Sequence, residues 1–274
     1  MKPIIIALTL ILLVNSYSIA QKDSTIKNIN VFTGGLFMTK DKWEIKLYNN
    51  LYTQIEPQFN STDRRSSFNT SFLQFTIGSN HNINYGFDFL YKSNIVNDLA
   101  YNSPFKVFQF MNESMRNNIM GEEFDTQSSH GLTHFGPRIR TKPFQNKRFT
   151  FQQAVYIPTG NLDEGWIVNS DLFYEHVIDG RYMIFGNVGA WYPLSGEIFP
   201  YARIFAGTLL AKRFGPFVML NLPYEIGAGT KLFITRKIEL EFMYTYWLPI
   251  ESIVDNRMPT SINFGLRITN FNNF

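Results

Sequence analysis

The four histidines are the residues of this chain best suited to acid–base chemistry, because an imidazole exchanges its proton near neutral pH. A serine two positions after a histidine on a strand would share its face and could form a nucleophile pair for ester hydrolysis. The residues two positions after His81, His130, His134 and His176 are Ile83, Leu132, Gly136 and Ile178. None of them is a serine, so we expect no catalytic residues and no enzymatic activity.

Two other patterns could suggest a metal ion or a phosphate group, but neither has the required spacing. His130 and His134 would share one face of a helix, yet Gly136 and Pro137 beside them favour a strand. Residues four apart on a strand are about 13 Å apart, too far to share a ligand. The Gly-Ala-Gly-Thr-Lys segment at 227–231 lacks the spacing of a phosphate-binding loop. The absence of cysteine excludes thiolate sites, and we expect no metal and no cofactor.

Alternation of apolar and polar residues is the dominant pattern of the chain, and it predicts strands rather than helices. It becomes strict at residue 42, where Trp43, Ile45 and Leu47 share one face while Glu44 and Lys46 share the other. Similar segments follow near 73–77, 83–91, 131–141, 148–157, 167–178, 181–192, 201–213, 216–223, 225–234, 237–248 and 261–271. The pattern predicts about twelve strands, or ten if the chain does not fold back at residues 223–224.

Short and long connections alternate between these predicted strands. The short ones lie near 80–82, 143–147, 179–180, 214–216 and 235–237, and longer ones lie at 93–130, 158–166, 193–200 and 249–260. Membrane barrels have short periplasmic turns and longer extracellular loops, so we expect 93–130 to be a long extracellular loop. Its apolar residues recur at helix-like spacing, and the loop either constricts the mouth of the barrel or packs on its rim.

The N-terminus has the pattern of a secretory signal peptide. Lys2 precedes an apolar run at 4–14, and small residues lead to Ala20, so we expect residues 1–20 to be cleaved. Residues 21–41 are predicted to be a periplasmic leader or a short first strand, and 42–274 the barrel. Aromatic residues make up 16% of the chain, which suits a lipid-facing surface flanked by aromatic girdles. A net charge of +3 gives no indication of nucleic-acid binding.

The last predicted strand, 262–269, alternates strictly, and the sequence ends on Phe274. Such a C-terminal strand resembles the closing strand of Gram-negative outer-membrane β-barrels. The resemblance implies an all-β, transmembrane, antiparallel up-and-down barrel in the cell outer membrane, in contact with its lipid. It also implies that the barrel-assembly machinery recognises the strand that ends in Phe274. A soluble β-sandwich or lipocalin-like barrel is the alternative architecture, because its strands would alternate as well.

If the apolar face meets lipid, the opposite face lines the lumen, and the alternation predicts which charged residues lie there. The candidates are Glu44, Lys46, Asp88, Lys92, Arg138, Arg140, Asp171, Glu175, Arg203, Glu225, Lys231, Glu239, Glu241 and Arg267. Acidic and basic residues are balanced, whereas an ion-selective pore would have a surplus of one sign. The balance suits either an interior filled by ion pairs or oppositely charged walls across a channel.

One short segment invites a narrower comparison. The sequence Val-Tyr-Ile-Pro-Thr-Gly at 155–160 resembles the strand-to-loop junction of outer-membrane transporters of the phenol-degradation meta-pathway type. That resemblance implies passage of small hydrophobic or aromatic compounds, without identifying the solute. We therefore expect a channel or transporter for passive passage of small solutes. The alternative is a non-conducting envelope barrel that serves as a scaffold or partner of a surface complex.

Overall fold

The alternating segments of the sequence all form strands in the computed structural model. It describes residues 37–56, 63–79, 82–108, 127–144, 148–160, 165–179, 182–194, 198–210, 213–222, 225–247 and 260–271. The strands are β1 (Trp43–Glu56), β2 (Arg64–Gly78), β3 (Ile83–Leu99), β4 (Gln127–Thr141), β5 (Phe149–Pro158), β6 (Ile167–Ile178), β7 (Tyr182–Pro193), β8 (Phe199–Thr208), β9 (Phe214–Leu222), β10 (Glu225–Phe233), β11 (Ile238–Trp247) and β12 (Thr260–Thr269). The predicted count of twelve is confirmed, and the alternative of ten is wrong because β9 and β10 are separate strands.

Each strand pairs antiparallel with its neighbours in sequence, and β1 pairs with β12, so the sheet closes into a barrel. At the closing seam Leu47 lies opposite Leu266, and Lys46 lies opposite Arg267. Opposed residues of paired strands face the same side of the sheet, so closure produces continuous apolar and polar rows around the wall. The predicted all-β, antiparallel, up-and-down barrel is confirmed. None of the helical segments among the described residues is long and apolar enough to cross a membrane.

Large apolar side chains cover the outside of the barrel. They include Leu47, Phe75, Ile77, Val188, Ile204, Val218, Phe242 and Tyr244, all of them exposed. A soluble protein rarely exposes a continuous apolar surface of this kind, because burying such surface away from water is strongly favourable. The exterior therefore fits the acyl chains of a bilayer. The closed sheet and its apolar outer surface exclude the soluble sandwich.

The two ends of the barrel differ in their connections. Five short connections, at 79–82, 142–148, 179–181, 209–213 and 234–237, lie at one end, here named the turn end. The opposite end, here named the loop end, carries connections 57–63, 100–126, 159–166, 194–198, 223–224 and 248–259. Strands β3 and β4 run further than the alternation indicates, so the long connection spans 100–126 rather than the expected 93–130. The predicted signal peptide at 1–20 and Phe274 lie outside the described residues.

The long connection begins with a 3₁₀ helix, Pro104–Phe108, that packs on the outer wall of the barrel. Its Val107 is buried in a cluster with Leu51 and Ile95, and the hydroxyl of Ser93 donates a hydrogen bond of 2.6 Å to the Val107 carbonyl. Phe108 contacts the ring of Phe264 at a centroid distance of 5.7 Å. These partners lie on the outward face, so residues 104–108 do not enter the lumen. The rest of the predicted helical region, 109–120, lies outside the described residues.

Candidate functional site

The lumen contains a cavity of about 430 Å³ whose wall is polar on one side and apolar on the other. Many of the charged residues predicted to face inward contribute to its lining. They are Lys46, Arg140, Asp171, Arg203, Glu225, Lys231, Glu239, Glu241 and Arg267. The alternation of the sequence thus places side chains from seven strands around one cavity.

The other predicted lumen residues lie beside this cavity rather than on its surface. Glu44, Asp88 and Arg138 are buried in the polar network described below. Lys92 lies opposite Thr70, a cavity-lining residue, on the part of β3 nearer the loop end. Glu175 lies opposite Phe185, another cavity-lining residue, nearer the turn end.

Glu44 is the centre of a buried ion-pair cluster at the turn end of the lumen. Its carboxylate accepts Arg267 Nε at 2.9 Å, Lys46 Nζ at 3.2 Å and Arg140 Nη1 at 3.3 Å. The side chain of Glu44 has no exposed surface. A carboxylate buried this completely is stable only when ion pairs and hydrogen bonds replace the water it has lost.

The ion pairs continue from Arg267 along β11 and β10. Arg267 Nη1 lies 3.3 Å from Glu239 Oε2, and Lys231 Nζ lies 2.7 Å from Glu239 Oε1. Lys231 also contacts Glu241 Oε2 at 2.8 Å. Acids and bases therefore alternate in space from β4 through β1, β12 and β11 to β10, which explains the balanced charges of the sequence.

A second cluster is built around Arg138 and joins the first through Gln152. The Nε atom of Arg138 donates to Asp88 Oδ1 at 2.9 Å, and the hydroxyl of Tyr156 donates to Asp88 Oδ2 at 3.1 Å. Gln152 Oε1 accepts Arg140 Nε at 2.7 Å, and Gln152 Nε2 donates to Asp171 Oδ2 at 3.2 Å. The polar network thus extends around the lumen from β10 to β6. Its members hold one another in fixed positions, because each buried charge depends on its partners.

One side of the lumen is lined by apolar side chains. The sequence-based prediction named only charged residues and omitted them. The apolar wall, as we name it, consists of Phe173, Phe185, Phe205, Phe217, Met219 and Met243. Phe205 lies 5.7 Å from Phe185 and 6.0 Å from Phe217 between ring centroids. The sequence contained a signal for three of them, because Phe173, Phe205 and Met243 each lie two positions from a predicted charged lumen residue on the same strand.

Residues 37–42 lie across the turn end and are fixed to the inner face of β3. The side-chain amide of Asn84 accepts from the backbone N–H of Met38 and donates to its carbonyl, both at 2.7 Å. The ammonium group of Lys142 lies 4.5 Å from the centre of the Phe37 ring. These contacts extend from β3 to the connection after β4, so the segment covers part of the lumen at this end. Residues 37–42 form no strand, and 21–36 lie outside the described residues.

The two neighbouring histidines of β4 have separate surroundings. His130 lies opposite Ser93 on the outward-facing side, whereas His134 is buried opposite Leu90 and contacts the Gly165 carbonyl at 3.0 Å. Over the described ranges no group of three histidine, aspartate or glutamate side chains is arranged to hold a metal ion.

Comparison with known proteins identifies the fold. Neither a family model nor a curated protein sequence matches the chain. The barrel is similar to the crystal structure of an outer membrane channel from Pseudomonas putida F1, with a TM-score of 0.59 and 11% identity, over 88% of this chain and 100% of that one.

Two further solved structures are more distant. A toluene transporter from Ralstonia pickettii, TbuX, has a TM-score of 0.45 at 8% identity, with 86% of this chain and 90% of that chain covered. The translocator domain of the autotransporter NalP from Neisseria meningitidis has a TM-score of 0.42 at 7% identity, with 88% and 90% covered. Likeness at this level carries no argument about activity. The closed antiparallel sheet, its apolar exterior and the similar channel structure together make this chain a twelve-stranded β-barrel of the outer-membrane type.

Proposed function

We propose that this barrel is an outer-membrane channel through which small solutes pass passively by way of the lumen. The observation that carries the proposal is the cavity of about 430 Å³, which has the size of a small-molecule site. The apolar wall favours solutes with a hydrophobic or aromatic part, since aromatic and Met side chains bind such groups well. The channel would need no cofactor and would carry out no covalent chemistry.

Passage through the turn end requires part of the lumen filling to move. The ion pairs around Glu44 and the segment fixed by Asn84 occupy this end. A solute coming from the cavity must therefore displace segment 37–42, loosen the ion pairs, or both. We infer that the barrel alternates between a closed state and a less populated open state.

The second candidate function is that of a non-conducting barrel serving as a scaffold or partner in the envelope. The buried ion-pair network favours this alternative, because a filled lumen without a gate would pass nothing. The exposed aromatic residues Tyr101 and Phe105 near the loop end would then offer a surface for a protein partner. Recognition of the C-terminal strand by the barrel-assembly machinery stays a prediction for either function.

Reconstitution of the purified barrel separates the two functions. We expect discrete single-channel conductance in planar bilayers and uptake of small neutral solutes by proteoliposomes, with uptake falling as solutes grow too large for a cavity of about 430 Å³. Liposomes made with boiled, unfolded protein are the control. A complete lack of conductance and uptake by protein that still migrates as a heat-modifiable band would refute the channel and leave the scaffold.

A further inference from the structure

Arg203 differs from the other basic residues that line the cavity. Lys46, Arg140, Lys231 and Arg267 each form an ion pair with a buried carboxylate. Arg203 is an exposed side chain whose guanidinium carbon lies 5.0 Å from the centre of the Tyr201 ring. Within the described part of the chain it forms neither a hydrogen bond nor an ion pair. Its N–H donors are therefore available to a molecule in the cavity.

Four carboxylates line the cavity with Arg203. Glu239 and Glu241 are paired with Lys231, and the other two are held by neutral donors. Asp171 accepts hydrogen bonds from the Tyr201 hydroxyl at 2.5 Å and from the Asn187 amide at 3.1 Å, besides that from Gln152. Glu225 accepts one from the Asn221 amide at 2.8 Å. Both carboxylates are therefore held in place by donors other than Arg203. An anion entering the cavity would thus find a guanidinium whose donors no carboxylate occupies.

The apolar wall begins directly beside this guanidinium. Phe205 follows Arg203 by two positions on the same face of β8, and its ring packs between those of Phe185 and Phe217. Arg203 lies nearer the loop end and Phe205 nearer the turn end, because β8 runs from the loop end to the turn end. One molecule lying along β8 would touch the charged group with one end and the aromatic rings with the other.

We propose that the cavity binds small amphipathic monocarboxylates, with the carboxylate on Arg203 and an aromatic or short aliphatic body against the apolar wall. A guanidinium and a carboxylate form two parallel, charge-assisted hydrogen bonds, which give both affinity and orientation. This inference rests on the proposed function of the lumen as a solute path and adds the chemical class of the solute.

Isothermal titration of the folded barrel in detergent tests the proposal with three probes of nearly equal shape. 3-Phenylpropionate carries the carboxylate, 3-phenylpropionamide is its neutral counterpart, and 3-phenylpropylamine carries the opposite charge. We expect the wild-type barrel to bind the carboxylate about tenfold or more tighter than the amide. Arg203→Gln should remove this preference while leaving amide binding unchanged, and Arg203→Lys should restore part of it.

Matched variants separate the two halves of the site. Arg213→Gln removes an exposed arginine at the turn after β8, outside the cavity, and should bind all probes as the wild type does. Phe205→Ala should weaken the carboxylate and the amide equally, because both use the apolar wall. Equal carboxylate binding by wild type and Arg203→Gln would overturn the proposal, as would preferential binding of the amine.

The proposed binding site and the proposed channel function can be refuted independently of each other. If the carboxylate binds through Arg203 but proteoliposomes take up no solute, the proposed function is wrong and the binding site stands. If neutral solutes pass but the wild-type barrel shows no preference among the three probes, the channel stands and the inferred solute class is wrong. The comparison of probes on the wild-type barrel needs no variant, so it holds even if a substitution impairs folding.

Discussion

Replacing Glu44 with glutamine is expected to destabilise the folded barrel by about 3–5 kcal/mol, the usual cost of removing one partner from a buried ion pair. Three cations, Lys46, Arg140 and Arg267, meet at this carboxylate, and Arg140 and Arg267 are almost fully buried. Glutamine keeps the shape of the side chain but leaves these cations with too little negative charge. The measurement is the urea midpoint of the heat-modifiable, folded band for barrels in the same detergent.

Glu241→Gln is the matched control for this substitution. It makes the same chemical change in the same lumen, but Glu241 is partly exposed and its partner Lys231 keeps a second carboxylate, Glu239. We expect a clearly smaller shift of the urea midpoint. Equal shifts for the two variants would mean that the Glu44 cluster does not stabilise the barrel in the way its geometry indicates.

Replacing Gly136 with alanine is expected to be the most damaging single-methyl change in the barrel wall. A Cβ atom at Gly136 would overlap the carbonyl oxygen of Val155 and lie 2.8 Å from its carbonyl carbon. The atoms that the methyl group would meet belong to the backbone of β5 and not to the end of a flexible side chain, so one of the two strands must shift to admit it. We expect a loss at or above the upper end of the ~1–3 kcal/mol typical of overpacking.

Gly265→Ala provides the control for this glycine. It lies on the inner face of β12, and a Cβ atom there would meet Tyr48 Cδ2 at 3.4 Å, an ordinary contact. The folded fraction and urea midpoint of Gly265→Ala should stay close to wild type, whereas Gly136→Ala should fold poorly. A stable Gly136→Ala barrel would show that β4 and β5 are further apart than the structure places them.

The strands and their two faces were predictable because a strand has a period of two. Once Trp43 is assigned to lipid, Glu44 and Lys46 must face inward, and the same reasoning places Arg203 and Arg267. Which inward residues of neighbouring strands lie opposite each other depends on the pairing register. Alternation does not contain that register.

The partners of Glu44 could therefore not be predicted. Arg140 and Arg267 lie 96 and 223 positions away in sequence. Arg267 reaches the carboxylate because β12 pairs with β1, and Arg140 reaches it from β4. The apolar wall was missed for a different reason. A lumen was expected to be polar, so Phe185 and Phe205 were not considered as lining although they lie on the inward face.

Two adjacent residues of β8 test most directly whether solutes pass through the lumen of this barrel. Phe205 lines the cavity, whereas Ile204 is exposed on the lipid-facing side. The chain contains no cysteine, so Phe205→Cys and Ile204→Cys each provide a single site for a bulky maleimide. Solute uptake by proteoliposomes is measured before and after labelling in detergent. We predict that labelling blocks uptake by Phe205→Cys and leaves uptake by Ile204→Cys unchanged; unimpaired uptake by fully labelled Phe205→Cys would contradict a path through the lumen.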